Sequence, residues 1–362
     1  MSLVPSFIST LSPYVPGKPI EETEREYGIT NVSKLASNEN PLGPAPKAVE
    51  AISKALPKLF LYPDGSSFYL KNRLAEFMKV DTKELMLGNG SNELIEFLIR
   101  TFLHGDDELL LSEGTFVVYK ISAQAVGRKF VEVPMKNRHY DLEAMAKAVT
   151  PKTRMVFIAN PDNPTGSYQG EEALIRFLDA VGPDVLVVMD EAYYEYAEAA
   201  DYPQSMALRA KYPNLIILRT FSKAYGLAGM RLGYGIARPE IVDYVNRVRA
   251  AFNVSLLAQA GGLAAIEDQE HVRKTVELNR RMLDLLAAEA TKMDLSFTPS
   301  QANFMLIDFH RPAMPIYEGL LREGVITRPM GGYGFHSSLR INTGTEADME
   351  KLLNAMRKVL AA

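Results

Sequence analysis

From Glu84 to Ala237 short apolar runs alternate with segments of helical periodicity, and no other feature of the chain restricts its fold so tightly. The runs are Leu85 to Leu87, Leu109 to Leu111, Phe130 to Val133, Met155 to Ile158, Val185 to Met189, Leu215 to Leu218 and Leu232 to Ala237. Strands this continuously apolar are buried on both faces, and strands that alternate with helices build a mostly parallel sheet covered on both sides. The expectation is therefore an α/β fold with a seven-stranded sheet. Beyond Arg238-Pro239 the pattern changes to long helices over 240–250, 255–267 and 270–292. Apolar runs at 295–298, 303–308 and 339–343 follow, with helices near 313–323 and from 345. This divides the chain into an irregular arm over 1–45 that packs with the small domain, a large domain over 46–249 and a smaller α+β domain over 250–362. The 362 residues and 47% apolar content are enough for two cores.

In open α/β sheets the loops at the carboxyl ends of the strands bind ligands. The run Leu215 to Leu218 reads as a buried parallel strand and Leu232 to Ala237 as another, so Lys223 falls in the glycine-rich loop between them. Most lysines are surface residues, but one placed there among small and apolar neighbours loses hydration, which favours its neutral, nucleophilic form. Gly90-Ser91-Asn92 follows the first strand and opens a helix, where free N–H groups and the helix dipole suit one phosphate. Glu93 stands where a dinucleotide fingerprint needs its third glycine. Asn160-Pro161-Asp162-Asn163-Pro164-Thr165-Gly166 closes the fourth strand with a loop stiffened by two prolines. Asp190 ends the fifth, a carboxylate too costly to bury without a cationic partner. Arg231 lies eight residues beyond the lysine. Together these loops offer what pyridoxal phosphate needs: a lysine for the imine, an acid for the pyridine nitrogen, donors for the 3′ oxygen, and an arginine with hydroxyls for the phosphate.

Charge and composition narrow the partners. A formal net charge of −4 without a long basic run gives no support to a nucleic-acid or anionic-membrane surface, so a small soluble substrate is expected. The absence of cysteine excludes disulfides, thiolate metal sites and a cysteine nucleophile. The five histidines have no ligand spacing, so no catalytic metal is expected. The amino terminus does not read as a signal peptide, and the uncharged run from Ala250 to Ile266 is too short and polar for a membrane span. The cytosol is the expected location.

The order and wording of Asn-Pro-Asp-Asn-Pro-Thr-Gly, Asp190-Glu191-Ala192-Tyr193 and Ser222-Lys223-x-x-x-Leu227-x-Gly229-x-Arg231 resemble the fold-type I pyridoxal phosphate aminotransferases. The likeness runs from Tyr14-Val15-Pro16-Gly17 and Leu35 to Pro41 as far as Thr327-Arg328-Pro329 and Leu339-Arg340-Ile341, and within that class it is to the histidinol-phosphate aminotransferase group. The resemblance implies that Lys223 carries the imine and moves the substrate proton, and that Asp190 keeps the pyridine nitrogen protonated. It assigns Tyr193 and Asn163 to the 3′ oxygen, Tyr119 to stacking on the ring, and Gly90, Ser91, Asn92, Ser222 and Arg231 to the phosphate. Tyr62 would reach that phosphate from a neighbouring subunit, which implies a homodimer with shared sites. Arg340 and Arg328 would anchor substrate anions, with Tyr14 and Asn303 lining the pocket and Asn38 to Gly43 lying over it. The implied reaction moves the amino group of L-histidinol phosphate to 2-oxoglutarate. An aromatic amino-acid aminotransferase, or a decarboxylase of a phosphorylated amino acid, would use much the same residues. Gly114 stands where the group commonly has proline.

Overall fold

The computed structural model describes residues 3–361. Its first elements are α1 (Ser6–Ser9), α2 (Ile20–Tyr27), β1 (Ser33–Lys34), α3 (Pro46–Ala55) and α4 (Phe68–Met78). The arm is thus less irregular than its prolines predict. α2 starts after Pro19 and stops at Gly28, and its Ile20 and Tyr27 pack with Leu321 and Ile326. The spacing of Ile20, Thr23 and Tyr27 is the helical signal that the surrounding turn residues obscure.

The large sheet contains β2 (Leu85–Asn89), β3 (Glu108–Ser112), β4 (Lys129–Val133), β5 (Thr153–Ala159), β6 (Leu186–Asp190), β7 (Leu215–Thr220) and β8 (Leu232–Ile236). Its order is β2-β8-β7-β6-β5-β3-β4. Between these strands run α5 (Gly90–Phe102), α6 (Val118–Ala125), α7 (Leu142–Ala148), α8 (Glu171–Val181) and α9 (Ser205–Leu208), and α10 (Pro239–Val248) follows β8. One departure from the expected parallel arrangement matters. β8 runs antiparallel to both β7 and β2. The loop from Phe221 to Arg231 carries only a single short turn of 3₁₀-helix, at Ala228–Met230, and a parallel return would need a longer crossover with a full helix. The consequence is that the whole loop, from Ser222 to Arg231, stays at the edge where β5, β6 and β7 end.

The remaining elements are α11 (Leu256–Ile266), α12 (Gln269–Lys292), β9 (Ser296–Phe297), β10 (Phe304–Asp308), α13 (Ala313–Arg322), β11 (Val325–Ile326), β12 (Arg328–Met330), β13 (Phe335–Asn342) and α14 (Glu346–Ala361). A second sheet has the order β12-β13-β10-β9, and β1 pairs with β11. Three large apolar clusters result, one on each face of the main sheet and one between the second sheet and α12, α13 and α14. α11 packs on α3, α4 and β8, so we propose to move the domain boundary from residue 250 to the start of α12. The arm touches both bodies. α2 lies with the small domain, while α1 docks on α6, where Gln124 Nε2 donates to the Phe7 carbonyl at 3.1 Å. Among the described residues no helix is long and apolar enough to cross a membrane.

Candidate active site

The strand ends and the arm enclose a cavity of about 190 Å³ lined by Tyr14, Asn38, Ser91, Asn92, Phe116, Tyr119, Asn163, Asp190, Tyr193, Ser222, Lys223, Arg231, Arg328 and Arg340. Residues separated by more than 300 positions meet there because β6, β7 and α5 converge on one edge and β12 and β13 face them.

One end of the cavity is built for an anion. Asn89 caps α5 without a side-chain bond, which leaves N–H groups at the helix start available. Gly90 has φ +75°, and a Cβ there would lie 2.5 Å from Arg231 Nη2, so only glycine lets the guanidinium lie against the helix start. Arg231 itself has φ +53°; its carbonyl accepts from Gly90 N at 3.0 Å, and its Nη1 lies 3.3 Å from Ser222 Oγ. Backbone, hydroxyl and guanidinium donors therefore converge, with no carboxylate paired to Arg231 among the described residues.

At the opposite pole Asp190 is 4% exposed. Its Oδ2 accepts from Tyr119 Oη at 2.7 Å, while Oδ1 is buried with no hydrogen-bond partner among the described residues. Burial raises this carboxyl to about 6, against the pull of the Tyr119 hydrogen bond. A protonated nitrogen at Oδ1 would satisfy the orphaned acceptor and remove the cost of burying the charge. Between the poles stands Lys223, whose Nζ donates to the Ser37 carbonyl at 3.3 Å. Desolvation first, then the guanidinium of Arg340, lowers its amine to about 8, so an appreciable fraction is neutral near physiological pH. Tyr193 is buried and pushed up to about 12 by desolvation, which keeps its hydroxyl a donor.

Two arginines close the cavity from the small domain. Arg328 on β12 and Arg340 on β13 are direct cross-strand partners, a juxtaposition of like charges that is unfavourable in itself. Arg340 donates to Asn163 Oδ1 and to the Ala36 carbonyl, each at 2.6 Å, and its Nε is buried without a partner among the described residues. Arg328 donates to the Val15 carbonyl. Neither forms an ion pair with a carboxylate among the described residues.

Three residues lie differently from their expected positions. Tyr119 has no exposed surface; its ring stacks on Phe157 at 4.6 Å and its hydroxyl is bound to Asp190, so Phe116 is the half-buried aromatic of the pair at the cavity. Gly114 beside it adopts φ +67°, which proline cannot, so the loop that sets these rings departs locally from the proline-containing pattern. Asn303 does not line the cavity: it is buried behind the arm, and its Nδ2 holds the Asn38 carbonyl at 3.1 Å. Tyr62 is 82% exposed, outside the cavity, and stacks on Phe252. Asn38, 2% exposed, with its amide on Tyr193, is the contributor that sequence reasoning placed only in a covering loop.

Residues 30–356 match the family model for aminotransferase class I and II. The chain belongs to the class I and II aminotransferases. The histidinol-phosphate aminotransferase of Anaeromyxobacter sp. (strain Fw109-5) is 54% identical over 364 residues, covering 100% of both chains. That of Moorella thermoacetica is 47% identical over 355 residues, 98% of this chain and 92% of that one. The crystal structure of the Sinorhizobium meliloti histidinol-phosphate aminotransferase in complex with pyridoxal-5′-phosphate superposes with a TM-score of 0.91 at 30% identity, covering 100% of this chain and 98% of that one. Pyridoxal phosphate is the cofactor of this aminotransferase, and the cavity fits it in kind. An anion cradle, a nucleophilic amine and an orphaned carboxylate oxygen are the groups that its phosphate, aldehyde and ring nitrogen require.

Proposed function

We propose that this aminotransferase moves the amino group of L-histidinol phosphate to 2-oxoglutarate, releasing imidazole-acetol phosphate and L-glutamate, in the synthesis of histidine. The full-length relatives carry that name, and the observation that supports it in the structure is the cross-strand pair Arg328 and Arg340. Two uncompensated guanidinium groups opposite Lys223 suit a site that must take a carboxylate from one substrate and a phosphate from the other, since the arginine fork matches both.

Pyridoxal phosphate supplies an aldehyde that receives the amino group and a ring that withdraws the electron pair left when the donor's Cα proton departs. Gly90, Ser91, Asn92, Ser222 and Arg231 hold its phosphate, Asp190 its ring nitrogen, and Tyr193 and Asn163 its phenolic oxygen. Phe116, rather than Tyr119, offers the aromatic surface beside it. Lys223 Nζ, partly neutral because the site is dry, takes the Cα proton of the donor and returns it within the same cavity. Arg340 orients the donor or acceptor through its anion, and Tyr14 and the arm exclude water from above.

The purified yellow protein should lose its visible absorbance with glutamate and recover it with imidazole-acetol phosphate. Preference for phenylpyruvate would instead identify an aromatic amino-acid aminotransferase, and release of carbon dioxide from a phosphorylated amino acid a decarboxylase. Arg328→Ala should raise the KM for histidinol phosphate about 10- to 100-fold, the worth of a charge-assisted bond, with a smaller change for glutamate. Equal losses for both substrates would remove the phosphate role from Arg328.

The same reading makes the enzyme a homodimer. Leu59, Phe60, Leu61, Tyr62, Phe68 and Tyr69 are all exposed although apolar, and Tyr62 stacks on Phe252, next to the Asn253 that bonds Glu93 in the first turn of α5. Tyr62 would reach the cofactor phosphate of the second copy. Light scattering should give twice the 40.2 kDa chain mass, and a monomer at micromolar concentration would refute shared sites. The cytosol is the location proposed for it, in keeping with small soluble substrates, and cell fractionation would check this.

A further inference from the structure

The Tyr193 hydroxyl is buried, and its single proton has no acceptor among the described residues. Its one hydrogen bond is received, not given: Asn38 Nδ2 donates to Tyr193 Oη at 2.8 Å. A phenol that accepts on its lone pair is left with its O–H to donate elsewhere, and accepting polarises that O–H and strengthens the donation. The bond to Tyr193 is the one hydrogen bond of the Asn38 side chain among the described residues, where its Oδ1 is buried with no partner.

The backbone of Asn38 is held for the purpose. It has φ +55°, a left-handed conformation that asparagine and glycine tolerate best. Its N–H donates to Asn342 Oδ1 at 3.2 Å and its carbonyl accepts from Asn303 Nδ2 at 3.1 Å. Asn303 precedes β10 and Asn342 ends β13, so the second sheet fixes a residue of the arm, and the arm's amide fixes a tyrosine of the large domain. Phe304 braces the Tyr193 ring edge-on at 5.2 Å. The other titratable groups around Tyr193 are Arg340, Asp190, Tyr14, Tyr196 and Lys223, whose Nζ lies 5.7 Å from the ring centroid, and none of them hydrogen-bonds its hydroxyl.

We infer that Asn38 is a positioning residue that turns the Tyr193 proton toward the cofactor's phenolic oxygen and so holds down the pH at which the Lys223-bound cofactor takes up its proton. The inference rests on Tyr193 facing that oxygen, as proposed above. Donation to the phenolic oxygen stabilises its anionic form, which competes with protonation of the adjoining nitrogen.

The readout is the midpoint of the pH titration of the visible absorbance of the holoenzyme, which a merely structural residue would not move. Asn38→Gly keeps the left-handed backbone and removes the amide; it should raise the midpoint by about half a unit to one unit, the range of one hydrogen bond. Asn38→Asp is near-isosteric, and its carboxylate would accept the Tyr193 proton and withdraw it from the cofactor, so its rise should be larger. Tyr193→Phe should raise the midpoint as well, and Asn38→Gly should add nothing in that background. An unmoved midpoint in both Asn38 variants, with Tyr193→Phe shifted, would overturn the role of Asn38 alone. So would a full Asn38→Gly shift that persists without the hydroxyl. An unmoved midpoint in Tyr193→Phe would overturn the Tyr193 contact and the inference together.

Discussion

Lys223→Ala should reduce transamination by at least about 10⁴-fold while leaving the fold intact, because it removes both the nucleophile and the proton carrier from one cavity. The protein should tolerate the loss. Lys223 is half-buried, with desolvation, Arg340 and Arg231 depressing its amine against Glu39 and Asp190, and among the described residues its hydrogen bond is to the Ser37 carbonyl. Deleting a desolvated cation that lacks a carboxylate partner removes an unfavourable term as well as some packing of its stem. Thermal unfolding should therefore shift by only a few degrees. Lys223→Arg is the sharper control: it keeps the charge and length, but a guanidinium does not deprotonate and can neither attack a carbonyl nor accept a proton. Both variants should be equally inert in the glutamate half-reaction followed by stopped-flow absorbance. Near-normal turnover in either would move the proton transfer to another residue.

Much of this architecture was legible before the structure because most strands of the large sheet are short apolar runs; the edge strand β4 is the exception, interrupted by Glu132 and fully buried only at Val133. β7 is buried at all six positions and β8 at all five, which is the pattern such runs predict. Direction was not legible. Apolar content says that β8 is covered on both faces but is silent on whether it runs with or against β7, and only the connection length decides it. The arm misled for the opposite reason: Pro13, Pro16 and Pro19 dominate its composition, while α2 is held by tertiary contacts of Ile20 and Tyr27. In the site, residue types at strand ends pointed to Lys223, Asp190 and Arg231, since charged groups there are hard to explain otherwise. The division of labour between Phe116 and Tyr119, three residues apart on the same turn, depends on which ring the Asp190 carboxylate captures, and spacing does not contain that. Asn303 and Asn38 were hidden similarly: an asparagine that holds another asparagine's backbone has no signature in composition or periodicity.

The second large effect belongs to Asp190→Asn, for which the loss should be about 10³-fold in the half-reaction, comparable with removing a preorganised charge from an active site. The amide is nearly isosteric and its oxygen can still accept from Tyr119, so the protein should fold and bind cofactor, though more weakly than the parent, separating charge from shape. What it lacks is the negative charge at the orphaned Oδ1, without which a ring nitrogen has no reason to stay protonated in a buried site. Tyr119→Phe provides the graded companion. The Asp190 carboxyl sits at about 6 because burial pushes it up while the Tyr119 hydroxyl pulls it down. Removing the hydroxyl leaves burial opposed by less, so the carboxyl takes up its proton at a higher pH. Cofactor affinity, which needs the ionised form, should therefore fall away at a higher pH than in the parent, while at pH 9 the two should bind alike. Fluorescence titration of the cofactor across pH 5 to 9 would measure this. A Tyr119→Phe profile that coincides with the parent would mean that Tyr119 packs against Phe157 and does no more, and an Asp190→Asn enzyme within tenfold of the parent rate would show that the electron withdrawal does not depend on this carboxylate.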